Sequence, residues 1–266
     1  MEVNEAIEEA HQQGILTTAS LMIGAEAAVD AINRARRLPS LRVGLHLVVI
    51  DGPLVLPAGA NADFLCTKGD TAHLVRAGIR FFFSRKARQQ LEAEIRAQFQ
   101  AFKKTRLSLD HVNSHHHMHL HPTVLSSLLK VGKEYGLRAV RLPYEPPISS
   151  WQASRQALFR RLMVWFFLSP WITLFKSRLR GQEIRSNDFI YGMNDSGSID
   201  LNLVLRFLKY LPDGVTEIYF HPIISKIDSR KNGSNREKEL EALASPQVRQ
   251  TILTSGIQLV GFGDLG

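Results

Sequence analysis

Residues 110–122 read Asp-His-Val-Asn-Ser-His-His-His-Met-His-Leu-His-Pro. Six of the chain's ten histidines lie between His111 and His121. A basic, helix-like segment ends at Lys104 before this stretch, and a second helix-like segment begins at Thr123 after it. This context predicts a helix, a strand and a helix, with the histidines at the carboxyl end of the strand. Ligands and catalytic groups of α/β folds collect at that end of the strands.

The pattern of these histidines predicts a functional site. On an extended chain alternate side chains share a face, so His115, His117 and His119 are expected to point one way. Neutral imidazole is the commonest metal ligand and a frequent general acid or base. Two other interpretations stay open, namely a tract that binds metal adventitiously and a set of buried histidines paired with backbone groups. The position between apolar elements, with the interruption at Asn113 and Ser114, favours the functional site.

The composition is that of an ordinary globular chain. It has 266 residues, of which 44% are hydrophobic and 22% charged, so one large α/β domain over residues 1–266 is expected. The single cysteine, Cys66, excludes an internal disulfide and fits a reducing compartment. The first ten residues are acidic and amphipathic, unlike a signal peptide. These features predict a cytoplasmic protein.

The net charge of +8 allows nucleic acid, an anionic membrane surface or an acidic substrate as partner. No signature of a nucleic-acid-binding module accompanies the charge, so no nucleic-acid partner is expected. Trp and Phe residues bordered by Arg and Lys fill an unusual insertion at about residues 151–185. Pro170 and the short apolar run argue against a membrane-spanning helix. The composition of residues 151–180 predicts either an interfacial membrane segment or a helical pair packed on the core.

Strand and helix signals alternate along the chain, which favours βα units around a parallel sheet. Apart from the strand before the histidines, strands are predicted at residues 15–23, 41–50, 137–142, 188–193, 215–220 and 257–261. Residues 51–79 are predicted as a long loop because they contain several Pro and Gly residues.

Two further histidines lie on predicted strands or at their ends. His46 lies inside strand 41–50, and His221 directly follows strand 215–220. A lone histidine in an apolar strand is more often a paired core residue than a ligand, and from the residues alone both interpretations of His46 stay open. A metal held by two of these strand-end histidines could polarise a carbonyl and supply hydroxide. The third histidine could protonate a leaving group, which suits hydrolysis of an amide or ester.

Several segments together resemble the YdjC-like carbohydrate deacetylases. They are residues 3–7, 14–22, 44–47, 110–119 and 217–222. Within that family the chain is most similar to the hopanoid-biosynthesis-associated deacetylases, which act on an N-acetylglucosaminyl lipid. The resemblance spans most of the chain and is weakest over residues 150–186 and 225–245. It implies a distorted (β/α) barrel of parallel strands with an active site at the strand ends.

The resemblance also implies residue roles. The family's divalent metal, zinc or magnesium, is held by an Asp and two His, and the two His correspond to His46 and His115. The family's final His-Pro corresponds to His221, the general acid toward the departing amine. The family often has Asp where this chain has Asn113, which can orient a neighbour but cannot act as a base. The residues expected to bind substrate are His117, Arg141 and Asn113.

One departure from the family pattern lies at the front of the sequence. Members of the family begin with a strand ending in Ala-Asp-Asp-Phe-Gly, just before the segment that matches residues 3–7. One Asp is a metal ligand and the other the probable base. This sequence begins at Met1, so we expect a barrel without its first strand and an N-terminally truncated gene or a misplaced start.

The expected function is therefore that of a metal-dependent amide hydrolase. It would remove an N-acetyl group from an amino sugar, in particular from an N-acetylglucosaminyl hopanoid lipid at the inner membrane face. The alternative is a truncated, non-catalytic relative that binds a sugar or lipid without turnover. A nucleic-acid-binding protein would show steeply salt-dependent binding, and only the charge supports it.

Overall fold

The computed structural model describes residues 1–57, 71–224 and 235–265. The strands in this part of the chain are β1 (Thr18–Leu21), β2 (Arg42–Leu47), β3 (Leu109–Ser114), β4 (Phe189–Tyr191) and β5 (Thr216–Ile218). The helices are α1 (Glu2–Gln12), α2 (Ala28–Arg37), α3 (Thr71–Phe83), α4 (Arg85–Lys104), α5 (Pro122–Glu134), α6 (Pro147–Ser154), α7 (Leu158–Arg180), α8 (Leu201–Lys209), α9 (Asn235–Ala244) and α10 (Pro246–Thr254). Two 3₁₀ segments cover His115–Leu120 and Phe262–Asp264.

The strands form two small parallel sheets. One has the order β1-β2-β3 and the other pairs β4 with β5. The register places Ser20 of β1 beside Gly44 of β2, and His46 of β2 beside Asn113 of β3. The predicted mixed α/β fold with parallel strands is confirmed. A closed barrel is not confirmed, because the strands of the described residues stay in two separate, open sheets.

The main core lies between the three-stranded sheet and the helices that follow its strands. Leu45 and Leu47 of β2 are fully buried, as expected for a parallel strand covered on both faces. Leu91 and Ile95 of α4 are also fully buried and lie four residues apart, so they share one face of that helix. Ser84 begins α4, and its side chain accepts a hydrogen bond from the Ala87 N–H.

Three local predictions are wrong. Residues 71–79 belong to α3 rather than to a loop, since Ala77 and Phe81 occur at helical spacing and are buried in the core; residues 58–70 lie outside the described residues. The predicted strand at 257–261 does not form. The predicted strand at 137–142 is reduced to isolated bridges of Val140 and Ala139 with neighbouring segments.

The insertion folds as α6 followed by α7, a 23-residue helix that continues through Pro170. Proline removes the N–H that would bond the Phe166 carbonyl, and the Ser169 hydroxyl donates to that carbonyl instead, at 3.2 Å. At about 1.5 Å per residue α7 is about 35 Å long, against about 30 Å for a bilayer's hydrocarbon core. Only 17% of its most apolar window is buried. Because α7 continues through Pro170, the prediction that this proline interrupts the segment is wrong.

Candidate active site

His46 and His115 lie side by side at the carboxyl end of the three-stranded sheet. The Nδ1 atom of His46 on β2 lies 2.7 Å from the side-chain amide of Asn113 on β3. His115 begins the turn after β3, and its ring centre lies 5.8 Å from that of His46, edge to face. With metal–nitrogen bonds of about 2.0 Å, two imidazoles on one ion have ring centres up to about 6 Å apart. The two predicted ligands are thus close enough to share an ion.

The histidine run itself is a tight turn and not an extended strand. His116 and His117 have φ values of 51° and 52°, in the left-handed region that costs a non-glycine residue about 1 kcal/mol or more. The predicted alternation of His115, His117 and His119 along one face is therefore wrong. Instead the turn directs each ring into a different environment.

His119 is a structural residue. It is fully buried, its Nε2–H donates to the Arg141 carbonyl at 3.0 Å, and its Nδ1 accepts from the Ser114 hydroxyl at 2.6 Å. Burial lowers the pKa of His119 to about 3. This neutral imidazole connects the end of β3 to the segment that carries Arg141.

His117 points away from solvent, with its ring 5.9 Å from that of Tyr219. Its Nδ1 atom has no hydrogen-bond partner among the described residues. Burial lowers the pKa of His117 well below its usual value, so the ring is neutral. A buried polar atom without a partner costs free energy, which a bound ligand can recover by hydrogen bonding to it.

A carboxylate lies beside the histidine turn. Asp51, His115 and His116 each offer one ligand atom, and these atoms all lie within 4.8 Å of one another. The Nε2 atom of His116 lies 3.0 Å from the Asp51 carboxylate. Asp51 directly follows the predicted strand 41–50, and this position at a strand end is the sequence signal that could have identified it. One carboxylate and two imidazoles form a donor set that suits zinc.

An ion pair joins the segment beside β3, which carries Arg141, to Glu217 on β5 of the second sheet. The Arg141 Nε donates to the Glu217 carboxylate at 2.7 Å, and the guanidinium lies 5.0 Å from the centre of the Tyr219 ring. Burial raises the pKa of Tyr219 to about 12, so its hydroxyl stays protonated. Arg141 is 7% exposed, and its bond to Glu217 fixes the guanidinium in place. Its other nitrogen atoms lie close to the Asn113 side chain and can orient it.

His221 follows β5 and lies across the cavity. Its Nδ1 atom lies 3.2 Å from the Ser196 hydroxyl, and its backbone N–H donates to the buried Glu239 carboxylate. Desolvation lowers the pKa of His221, and the positive charges of Arg236 and Arg141 lower it further. His221 is therefore neutral near pH 7, able to accept a proton before it donates one.

A cavity of about 700 Å³ joins these groups. Its polar lining includes most of the sequence-predicted site residues: His46, Asn113, His115, Arg141 and His221. Apolar side chains of several elements, β1, α1, α2 and α8 among them, line much of the remainder, which is the usual character of a small-molecule site. His117 is the one predicted residue that is not on this lining.

Comparison with known proteins fits this arrangement. The model of the family described as YdjC-like protein matches residues 1–254. The chain belongs to the YdjC-like family. The YdjC-like chain is 28% identical to a carbohydrate deacetylase of Brevibacillus brevis, over 99% of this chain and 94% of that protein. It is 31% identical to a carbohydrate deacetylase of Vibrio parahaemolyticus, over 99% of this chain and 90% of that protein.

A solved structure shares the fold of this YdjC-like chain. It is an Enterococcus faecalis protein with the provisional name of cellobiose-phosphate cleavage protein. The TM-score is 0.68 at 23% identity, over 98% of this chain and 92% of that one. At this identity the likeness shows the fold alone. It extends over nearly the whole chain.

Proposed function

We propose that this YdjC-like protein is a carbohydrate N-deacetylase, an amide hydrolase that removes the acetyl group from an amino sugar. The observation that carries this proposal is the convergence of His46, His115 and His221 on one cavity. Its relatives in Brevibacillus brevis and Vibrio parahaemolyticus bear the name carbohydrate deacetylase. Amide hydrolysis needs a polarised carbonyl, an activated water and a proton for the departing amine.

We propose that His46 and His115 hold a divalent metal, and that Asp51, whose carboxylate lies within 4.8 Å of a ligand atom of His115, completes the site. In the family the carboxylates precede the segment that matches residues 3–7, and Asp51 is the carboxylate that the described residues offer beside His115. Two imidazoles and a carboxylate favour zinc over magnesium, which prefers oxygen ligands. When bound, such an ion supplies a Lewis acid for the acetyl oxygen and lowers the pKa of a water molecule.

The proton transfers are assigned to His221. Because its ring is neutral, with Nδ1–H donated to the Ser196 hydroxyl, Nε2 is free to take a proton from the attacking water. As the carbon–nitrogen bond breaks, the same Nε2 returns that proton to the sugar amine. Asn113 cannot act as a base. Arg141 and Asn113, which line the cavity, are proposed to orient the sugar through their polar groups, whereas His117 lies off this lining and no sugar contact is proposed for it.

The proposed substrate is an N-acetylglucosaminyl hopanoid lipid, reached by peripheral contact with the inner membrane face. The exposed surface of α7 supports this part of the proposal. Phe159, Phe166 and Phe167 expose 76%, 64% and 63% of their surface. Arg and Lys residues flank the helix at both ends. Aromatic rings bordered by basic side chains suit the headgroup region of an anionic membrane.

The deciding experiment incubates the zinc-loaded full chain with an N-acetylglucosaminyl lipid and with a soluble N-acetylglucosamine oligosaccharide. Acetate and free amine are quantified together. The wild type is expected to release both in equal amounts, and His46→Ala or His115→Ala to lower kcat/KM at least about 100-fold. His11→Gln is a matched control, since His11 is not on the cavity lining and its ring nitrogens bond only the Ser40 hydroxyl and the Leu16 carbonyl among the described residues.

Two results would contradict the proposal. Full activity of the His115→Ala protein would remove His115 as a ligand. Binding of the sugar lipid by the wild type without acetate release would instead support the alternative, a non-catalytic sugar- or lipid-binding relative.

A further inference from the structure

Two polar side chains of α4 are buried in the main core. Glu94 is 0% and Gln98 1% exposed, and they lie one helical turn apart on the face that also carries Leu91 and Ile95. Polar groups in such a position cost free energy unless they are hydrogen-bonded, so their partners show what they stabilise. Neither residue lies on the cavity lining, and the proposed proton transfers use neither of them.

Gln98 binds the backbone at the point where β2 ends. Its Oε1 accepts a hydrogen bond from the Val48 N–H at 3.0 Å, and its Nε2 donates to the Val48 carbonyl. Val48 directly follows Leu47, the last residue of β2. The Gln98 side chain thus pairs with both polar groups of this residue, as a neighbouring strand does within a sheet. The chain therefore leaves the sheet at a fixed point.

Glu94 binds the same loop a few residues later. One carboxylate oxygen accepts from the Val55 N–H at 2.8 Å, and the other accepts from the Leu56 N–H at 3.1 Å. Gln98 Nε2 also lies 2.8 Å from Glu94 Oε1 and donates to it, so the two side chains form one buried unit. This unit holds both ends of the loop of residues 48–56.

Asp51 lies within this loop and faces the histidine turn. Its φ of 54° lies in the left-handed region, which costs a non-glycine residue about 1 kcal/mol or more. Its carboxylate lies 3.0 Å from His116 Nε2 and within 4.8 Å of a ligand atom of His115. Backbone in such a conformation persists only where its surroundings hold it. The two loop ends that α4 binds supply that support.

The first half of the loop is itself tightly packed. Val48, Val49 and Ile50 are at most 1% exposed. A Cβ atom at Gly52 would lie 2.9 Å from Val48 Cγ1, so the chain on either side of Asp51 folds back on itself. A shift of the Val48 backbone would therefore move the Asp51 carboxylate with it.

We propose that Glu94 and Gln98 are positioning residues, which hold the loop of residues 48–56 so that the Asp51 carboxylate stays within reach of a metal bound by His115. The inference rests on the proposed function in taking Asp51 as the carboxylate of the site. A purely structural role would stabilise the fold independently of Asp51. The two roles therefore differ in the energetic coupling between Glu94 and Asp51.

The test is a double-mutant cycle on zinc binding by the full chain, measured by competition with a chromogenic chelator. Glu94→Gln has nearly the same shape but only one acceptor oxygen, so its amide N–H₂ opposes one of the two loop N–H groups. Its zinc affinity should fall about tenfold. Asp51→Asn removes the charged ligand, tolerates the left-handed backbone, and should lower the affinity at least as much. Within the Asp51→Asn protein, Glu94→Gln should lower it no further than about twofold, the usual error of additivity.

Glu92→Gln is the matched control. It removes the same charge two residues earlier on α4, where Glu92 pairs with the exposed Lys130, and should leave the zinc affinity unchanged. Glu94→Asp is a second variant, which decides the question if Glu94→Gln does not fold. It keeps both acceptor oxygens but draws them back from the loop, so a smaller loss of affinity is expected, again absent in the Asp51→Asn background.

Equal losses of affinity from the Glu94 substitution in both backgrounds overturn the inference. Unchanged zinc affinity of the folded Glu94 variants also overturns it, and so does unchanged affinity of Asp51→Asn, because Asp51 would then have no ligand role to be positioned for. None of these measurements uses a substrate. Absence of acetate release therefore contradicts the deacetylase proposal and leaves the zinc-binding cycle decisive for Glu94.

Discussion

At the scale of single residues, Asn113 is the position where a small change should matter most. Its amide faces His46 with one atom, and Ser20 and Arg141 with the other. Only one orientation of the amide, with its N–H toward His46 Nδ1 and its oxygen toward Ser20 and Arg141, satisfies all three neighbours. A carboxylate accepts from all three.

Asn113→Asp is therefore expected to raise zinc affinity about tenfold, since the new charge fixes His46 with Nε2 bare and also attracts the cation. Competition against a chromogenic zinc chelator measures the change. Asn33→Asp, an exposed site on α2, adds the same charge far from the strand ends and should have no effect. Equal affinity of the Asn113→Asp and wild-type proteins would show that Asn113 does not orient His46.

His119 makes a prediction about acid stability. Its pKa is about 3 in the folded protein and about 6.5 in the unfolded chain, so only the unfolded chain takes up the proton as pH falls below about 6.5. The stability from neutral His119 is complete above that pH and is lost on acidification toward pH 3. From pH 7 to pH 5 the loss is about 2 kcal/mol.

His119→Gln should remove that part of the pH dependence, whatever its effect at pH 7. Urea unfolding of both proteins at pH 7 and pH 5 measures it, and the free energy of unfolding of the wild type should fall about 2 kcal/mol further. Parallel losses in the two proteins would mean that His119 becomes protonated in the folded state.

Some of these residues could be predicted from the sequence and others could not. Site roles for His46, His115 and His221 were predicted because each follows or occupies an apolar strand within a recognisable motif, and these roles stay predictions. The contact between Ser20 and His111 was not predicted, since they meet across 91 positions of the chain and only the register of β1, β2 and β3 brings them together. Gly44 was the available signal, because a glycine within a buried strand indicates close approach of another group.

At the scale of elements, α7 depends on one buried arginine near its start. Arg161 is fully buried and donates to Glu145 at 2.6 Å and to Asp195 at 2.6 Å, joining α7 to the segments that carry these two carboxylates. The Ser196 hydroxyl next to Asp195 bonds His221. The helix and the proposed proton-transfer residue are thus connected through one loop.

Arg161→Met should leave two carboxylates buried without their cation, which costs about 3–5 kcal/mol of the free energy of unfolding. Chemical denaturation followed by circular dichroism measures the loss. Arg180→Met, at the exposed end of the same helix, should change it by less than about 0.5 kcal/mol. If both variants unfold alike, the buried cluster does not stabilise the base of α7.

Secondary-structure elements were predicted correctly where the sequence pattern was clear. Prediction failed where a side-chain hydrogen bond or an unusual backbone angle outweighs the ordinary propensity of the residue. The helix α4 was predicted as a basic helical segment that ends at Lys104, and it does end there. The turn at His115–Leu120 was wrongly predicted as extended. Two of its residues adopt left-handed backbone angles that histidine rarely takes, so the sequence gives no signal for them. The continuation of α7 through Pro170 depends on the Ser169 hydroxyl, which propensity alone does not foresee.

At the scale of the whole molecule, the sequence predicted parallel strands with the site at their carboxyl ends, and both sheets are parallel. Closure into a barrel depends on pairing between strands far apart in the chain, which periodicity does not encode. Among the described residues β1 and β5 have no second strand partner, and the cavity lies between them. The cavity therefore opens where the two sheets remain apart.

The net charge of +8 and the exposed face of α7 together predict membrane binding. The full chain should sediment with vesicles containing phosphatidylglycerol, and salt should weaken the binding because it screens the basic residues. Replacing Trp165, Phe166 and Phe167 by Ser should lower the partition constant at least about tenfold, since even partial burial of three aromatic rings is worth more than about 1.4 kcal/mol.

Leu253→Ser is the control for lost apolar surface, because Leu253 is 69% exposed on α10, outside the aromatic helix. The triple variant should deacetylate a soluble N-acetylated sugar as the wild type does, but lose activity on the vesicle-bound lipid. Reduced activity on both substrates would mean that α7 supports the fold of the site. Unchanged vesicle binding by the triple variant would exclude its aromatic rings as the membrane contact, since no other change on that face distinguishes it from the wild type.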